Sequence, residues 1–457
     1  MNHILVIGAG PGGYVAAIRL AQLGAKVTIC DNAAIGGVCL NRGCIPTKAL
    51  LYATSVIQNA KAAKSFGVNF QDPTIDFKSL NDWKNQVVSR LRSGIEYLLR
   101  NYNIEFISAT CRFVDPATVE LINNQGEVTT LNPNKIVIAT GSKPTLIPGI
   151  VPDGKTIITS DEALQLESLP KNLLIVGAGA IGLEFATIYS RFGCQVTVVE
   201  MMDQILPGSD REIANTLKRI LSNQGIEFQL KTKLTLKNSK LILERDGTEQ
   251  GLVADKVLIA IGRIPNTENL GLENTGVAQD EKGFIIVSKF YSTRVPNLYA
   301  IGDVVGPPLL AHKAMAQGII VAELIAGTPN VIKIVPNCVY TDPELASVGM
   351  TEEEARNAGK EILIGRSTLM AIGRAHTMNR KDGMAKVIVD KHSDRILGIH
   401  ILAPEASDLI AEATLALSQD MTVKEFIRTV HPHPTLSELL LEAAENVHKK
   451  SIHSLNR

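Results

Sequence analysis

Two segments of this chain repeat one pattern: HILVIGAGPGGYVAAIRLAQLGAKVTICD, from His3 to Asp31, and NLLIVGAGAIGLEFATIYSRFGCQVTVVE, from Asn172 to Glu200. Each reads as an apolar strand, a glycine turn, a helix, a second apolar strand and a terminal acid. No other feature constrains the fold as tightly, because a buried strand feeding a helix through G-x-G-x-x-G opens a doubly wound parallel sheet. In each copy the first glycine (Gly8, Gly177) permits the tight turn. The second (Gly10, Gly179) lets a pyrophosphate approach the backbone at a helix N-terminus, and the third (Gly13, Gly182) lets helix and strand pack closely. Asp31 and Glu200 stand where an acid would hydrogen-bond a ribose hydroxyl and repel a 2′-phosphate. Met201 and Met202, not arginine, follow Glu200, so the second unit is expected to prefer NAD to NADP. Two dinucleotides in one chain imply electrons passing between them, with NAD as one and a flavin as the other.

Three further apolar strands end in Ala-x-Gly: IVIATGS at 136, VLIAIGR at 257 and LYAIGD near 298. They deliver Gly141, Gly262 and Gly302 to the carboxyl ends of strands, where open α/β sheets bind ligands. The third arrives after the second nucleotide unit, as though one domain were interrupted by another. From about Val335 the texture changes to strands followed by amphipathic helices, a separate α+β domain without a glycine fingerprint. The expected fold class is therefore α/β, with two Rossmann-like dinucleotide-binding domains and a C-terminal α+β domain. The expected divisions are 1–145 for the first part of one nucleotide domain, 146–267 for the second, 268–334 for the segment completing the first, and 335–457 for the last. With 46 basic and 46 acidic residues and no block of like charge, neither nucleic acid nor an anionic membrane is an expected partner. No apolar run reaches membrane-spanning length and the first strand leaves no room for a leader, so a soluble cytoplasmic chain is expected.

Residues 36 to 51 read GGVCLNRGCIPTKALL, placing Cys39 and Cys44 close behind two glycines. A disulfide needs Cα atoms about 4.4 to 6.8 Å apart, whereas five steps of regular helix rise about 7.5 Å. Gly43 and Pro46, flanking Cys44, supply the irregularity that could bring the thiols together. A helix through TKALLYATSVIQNA would put Cys44 near its start, where backbone dipoles favour a thiolate. A zinc clip would need further ligands that the sequence does not show, so no metal site is expected. A structural bridge closing so small a loop would contribute little. A redox couple is the favoured reading. The other four cysteines, Cys30, Cys111, Cys194 and Cys338, are scattered singly and read as small buried apolar side chains.

Near the end, HPHPTLSELLLEAAEN brings His431, His433 and Glu438 to the start of a helix. Thr435 and Glu438 match a capping box, in which the glutamate returns to the N-cap amide. Alternatively, Glu438 orients His433 as a base, because imidazole titrates near neutral pH. Both readings stand on the sequence.

Taken together, GAGPGGY, GGVCLNRGCIPTKAL, GAGAIGLE, AIGR with Pro265 and Asn266, YAIGD and HPHPTLSE resemble the pyridine nucleotide-disulfide oxidoreductases, most of all those acting on dihydrolipoamide. The resemblance spans essentially the whole chain. It implies FAD at Gly8, Gly10, Gly12, Gly13 and Asp31, with Asp303 at the ribityl chain and Ala311 near the ring. Lys48 would lie by the flavin and pair with Glu184. NAD would occupy the second fingerprint, Cys44 would face the flavin, and Cys39 would exchange with the substrate. His433, assisted by Glu438, would act as base from the partner subunit of a homodimer. The lipoyl group would arrive on an acyltransferase or another lipoyl protein of a 2-oxo acid dehydrogenase complex. Ala109 and Cys111 depart from the family pattern, standing where glycines are expected to contact FAD. A glutathione-type reductase is disfavoured by Glu200 and mercuric reductase by the lack of a cysteine after Cys338. A non-catalytic dinucleotide-binding redox sensor is the rival from another class.

Overall fold

The fingerprint strands are apolar on both faces because helices cover both sides of the sheets they enter. In the computed structural model, which describes residues 3–71, 73–165, 167–238 and 240–455, the strand His3–Ile7 lies parallel between Lys26–Asp31 and Lys135–Ile138. Glu105–Ser108 extends one edge. The other edge is completed by Leu298–Ala300, so the late Ala-x-Gly strand returns to the first sheet after the second nucleotide unit. That second unit forms its own parallel sheet, with Asn172–Val176 between Gln195–Glu200 and Lys256–Ile259. Glu227–Leu230 and Ile157–Ile158 form its edges. From Asn337 to Ala403 a five-stranded antiparallel sheet follows, packed against the helices Ala406–Ser418 and Glu438–Asn446. The expected class therefore holds: two doubly wound α/β units and an α+β unit.

Two kinds of element were not read from the sequence. One is the long helix Phe77–Asn101, whose N-cap Asp76 accepts from the amides of Lys78 and Ser79. The others are two antiparallel meanders, Thr110–Phe113 through Val128–Leu131 and Thr232–Lys237 through Thr248–Gly251. Several of their strands are only four residues long, too short for alternation to separate them from loop. No helix among the described residues is long and apolar enough to cross a membrane.

One helix contact sets the floor of the first nucleotide unit. The fingerprint helix Pro11–Gln22 crosses the helix Ala311–Ile325 closely enough that a Cβ on Gly318 would lie 2.6 Å from the Gly12 carbonyl and 3.0 Å from the Ala16 amide. Gly12, expected among the cofactor contacts, faces this helix: a Cβ there would meet the Ala314 carbonyl at 3.2 Å. Its small size serves packing.

Candidate active site

The two glycine turns share one geometry. Gly8 and Gly177 have φ of 104° and 106°, and a Cβ on either would collide with the backbone of Ala139 or Ala260. Gly13 and Gly182 each face the carbonyl of the first glycine of their own turn, leaving no room for a side chain. A Cβ on Gly179 would meet nothing within 4 Å among the described residues outside its own chain neighbours and helix, and one on Gly10 only the Gly37 Cα at 3.9 Å. The middle glycines thus border open space at helix N-termini that no side chain caps. Such an end presents unpaired N–H groups to an anion, so both turns fit the pyrophosphate of a dinucleotide.

The acids do more than await a ribose. Asp31 Oδ2 accepts from the Ala9 amide at 2.7 Å, and Glu200 Oε2 accepts from the Ala178 amide at 2.8 Å. Each acid therefore ties its glycine turn to the neighbouring strand. Gly141 and Gly262, both at positive φ, accept reciprocally across a short ribbon, from Asn266 N at 2.9 Å and Thr145 N at 3.0 Å. They join the carboxyl ends of the two sheets. Beside them Arg263 Nε donates to Ser142 Oγ at 2.7 Å, and that hydroxyl donates to Asp303 at 2.5 Å. Ala311 opens a 15-residue helix whose N-terminus lacks a side-chain cap. The hydroxyl of Thr140, next to Gly141 in the chain, is buried without a partner among the described residues. A polar cofactor edge would satisfy both, which fits a flavin in the first unit.

Cys39 and Cys44 meet across a helix break. The helix Gly37–Arg42 stops at Gly43, and the helix Cys44–Ala62 begins immediately after it. A Cβ on Gly43 would lie 2.9 Å from the Val38 carbonyl and 3.2 Å from the Cys39 Cα, so the break closes only over glycine. Both thiols are free and half-buried, and each shifts the other's titration. The hydrogen bond from Cys39 holds Cys44 down at about 7, against burial, with help from the Lys48 ammonium. The same hydrogen bond, burial and the Cys44 charge push Cys39 far up. One negative charge therefore settles on Cys44, at the start of its helix.

Lys48, one turn along that helix, donates to both oxygens of Glu184, at 2.9 and 2.8 Å. Glu184 is 5% exposed, lies on the second fingerprint helix, and also accepts from Tyr340 N at 3.1 Å. The Tyr340 ring lies 4.3 Å from the Lys48 ammonium. One carboxylate thus joins the cysteine helix, the second nucleotide unit and the C-terminal unit. Tyr340 was not singled out in the sequence, since nothing local distinguishes it.

His433 lies with different neighbours. Its Nδ1 is 2.8 Å from Glu438 Oε1, and its side chain is 75% exposed. Glu438 Oε2 accepts from the Thr435 amide at 2.9 Å. The two sequence readings are therefore compatible, one per oxygen. The helix itself starts one residue after Ser437, and the Thr435 hydroxyl donates to the Pro432 carbonyl, so the reciprocal half of the capping box is missing. His431 is held separately, between Glu412 and the Thr429 carbonyl.

The chain matches the pyridine nucleotide-disulphide oxidoreductase family over residues 2–318 and the dimerisation domain of that family over 335–444. The chain belongs to the pyridine nucleotide-disulphide oxidoreductases. It is 46% identical to a dihydrolipoyl dehydrogenase of Thermus scotoductus, with 99% of each chain covered. It is 41% identical to one of Bacillus subtilis, with 98% of each covered. Among solved structures it is similar to LpdA of Mycobacterium tuberculosis, with a TM-score of 0.90 at 26% identity over 98% of this chain and 100% of the other. It is also similar to RclA, an HOCl-induced flavoprotein disulfide reductase of Escherichia coli, with a TM-score of 0.84 at 30% identity over 97% and 99%. As a pyridine nucleotide-disulphide oxidoreductase it is an enzyme with FAD and NAD as cofactors.

Cys30 and Cys111, read as small buried apolar side chains, are indeed buried in one core cluster of the first nucleotide unit.

Proposed function

We propose that the protein reoxidises protein-bound dihydrolipoamide to lipoamide, passing two electrons through Cys39–Cys44 and FAD to NAD. The observation that carries this reading is the half-buried dithiol at the Gly43 break, with its charge held on Cys44 beside Lys48. In the oxidised pair, a substrate thiolate would attack Cys39 and release Cys44 as the better-stabilised leaving thiolate. The second substrate thiol then displaces Cys39, giving lipoamide and the dithiol. His433, aligned by Glu438, takes the proton from the attacking thiol. FAD, when bound, accepts the electron pair from the dithiol and supplies it as hydride to NAD. Asp31, Asp303 and the Gly8–Gly13 turn hold FAD in this reading, and Glu200 with the Gly177–Gly182 turn holds NAD.

An exposed base in the C-terminal unit suits a homodimer in which a second copy brings His433 to this cysteine pair. The divisions 1–145 with 268–334, 146–267 and 335–457 belong to the same reading. The lipoyl group would come from an acyltransferase of a 2-oxo acid dehydrogenase complex. Replacing Cys39 by Ser is the direct test. NADH should still bleach the flavin absorbance while lipoamide turnover falls by about 10²-fold or more; retained turnover would reject Cys39 as the exchange thiol.

A further inference from the structure

Where the chain enters the second nucleotide unit it forms the short helix Ser160–Ala163, which packs on the strands Ile157–Ile158 and Lys256–Ile259 of that unit's sheet. Two side chains of the first unit reach this helix. Lys84, on the long helix Phe77–Asn101, is fully buried. Its ammonium donates to the Leu164 carbonyl, at the end of the short helix, and to Asn81 Oδ1 at 3.0 Å. Arg42, the last residue of the helix that carries Cys39, donates to Asp161 Oδ2 at 3.0 Å. From the other side the Tyr189 hydroxyl donates to the Ala163 carbonyl. Tyr189 is 3% exposed and lies on the second fingerprint helix, Ala180–Phe192. The last carbonyls of a helix have no partner within it, and here tertiary structure brings a donor to two of them. Burying an ammonium costs free energy that an apolar side chain of like volume would avoid. Burial alone pulls Lys84 down to about 8, so packing does not call for lysine at this place.

We propose that, with FAD in the first unit and NAD in the second as in the proposed function, Lys84, Arg42 and Tyr189 are positioning residues. Through the helix Ser160–Ala163 they hold the two nucleotide units at the spacing that electron transfer between the cofactors requires. A misplacement of about 1 Å between reacting groups can cost about 10²-fold in rate. Lys84 carries the largest share, because it is buried, whereas the Arg42–Asp161 pair is open to solvent and screened. Tyr189 passes the hold to the helix whose N-terminus fits the pyrophosphate of NAD. Cys39, Cys44 and the Gly8–Gly13 turn all belong to the first unit, so exchange between thiols and flavin does not depend on this clasp.

The two half-reactions of the FAD-loaded enzyme separate the roles when each is followed by anaerobic stopped-flow absorbance of the flavin. In Lys84→Met, reduction by saturating NADH should slow about tenfold or more, with the half-saturating NADH concentration within about twofold of wild type. Reduction by dihydrolipoamide should keep the wild-type rate. Tyr189→Phe, which removes one hydroxyl and keeps the ring, should slow the NADH reaction in the same sense by about threefold; it carries the test where Lys84→Met fails to fold. Unchanged reduction by NADH in both variants, or equal slowing of both half-reactions, would overturn the proposal. Wild-type enzyme reduced by NADH and not by dihydrolipoamide would instead reject the proposed function, and the NADH reaction would still read the clasp.

Discussion

The two oxygens of Glu438 and the sulfur of Cys44 show how single side chains divide chemical and structural work. Glu438 aligns His433 through one oxygen and accepts the Thr435 amide through the other. His433→Gln is therefore expected to lower lipoamide turnover by about 10²-fold or more while leaving the thermal midpoint unchanged. Glu438→Ala should lower both, and parallel thermal melts and steady-state assays would separate the two effects. Cys44 sits at about 7 in the dithiol, chiefly through the Cys39 hydrogen bond and next through Lys48. Its thiolate is present above that pH and is lost as the pH falls through it. Alkylation of the reduced enzyme should therefore slow below about pH 7. In Lys48→Met the midpoint should move up by about one unit, because a cation that favours the thiolate has gone. A thiolate-absorbance titration of both proteins checks the shift.

At the scale of elements, the decisive object is the joint between the helices Gly37–Arg42 and Cys44–Ala62. Gly43 is required sterically, because a Cβ there would lie 2.9 Å from the Val38 carbonyl and 3.2 Å from the Cys39 Cα. In Gly43→Ala the new methyl presses on the Val38 carbonyl and the Cys39 backbone. The helices must part, at a cost of about 1–3 kcal/mol. The thiols separate with them. Denaturant titration should register the loss in stability, and the reduced enzyme should reform its Cys39–Cys44 bridge more slowly when treated with an oxidant. Unchanged stability and unchanged closure would mean that the joint can relax without opening.

Across the whole molecule, the units are held together by buried charge. Lys386, 1% exposed in the C-terminal sheet, donates to Asp210 at 2.9 Å and Glu352 at 2.7 Å, and pairs with Glu212 at 3.0 Å. Asp210 also caps the helix Arg211–Asn223 of the second nucleotide unit, so one ammonium joins two units. Asp342 bridges Arg191 and Arg380 across the same boundary. Removing one partner of a buried pair leaves the other charge uncompensated, and Lys386→Met should cost about 3–5 kcal/mol by denaturant titration at neutral pH. Burial pushes the three carboxylates up. Hydrogen bonds from Lys386, with Arg366 at Glu212 and Arg356 at Glu352, outweigh it and hold them below the usual carboxylate range. Groups depressed in the folded state contribute stability above their unfolded values, about 4, and lose it as the pH falls further. Wild-type stability should therefore fall steeply below about pH 4, and the slope should be shallower in Lys386→Met.

What was legible beforehand depended on distance along the chain. The turns at Gly8 and Gly177, the acids Asp31 and Glu200, and the start of the helix at Cys44 are set by residues within one or two turns of one another. Period, glycine spacing and helix signals therefore determined them from the sequence by itself. The return of Leu298–Ala300 to the first sheet was also legible, because its Ala-x-Gly ending repeats that of Lys135–Ile138. Lys48 and Glu184 could be paired only by resemblance to a family, and Tyr340 not at all. The shared core cluster of Cys30 and Cys111, the packing of Gly12 on Gly318 and the charges around Lys386 were decided by the tertiary structure alone. Each joins segments far apart in sequence, and side chains in such contacts carry no local periodicity. Their partners are chosen by sheet order and helix crossing, which exist only once the chain has folded.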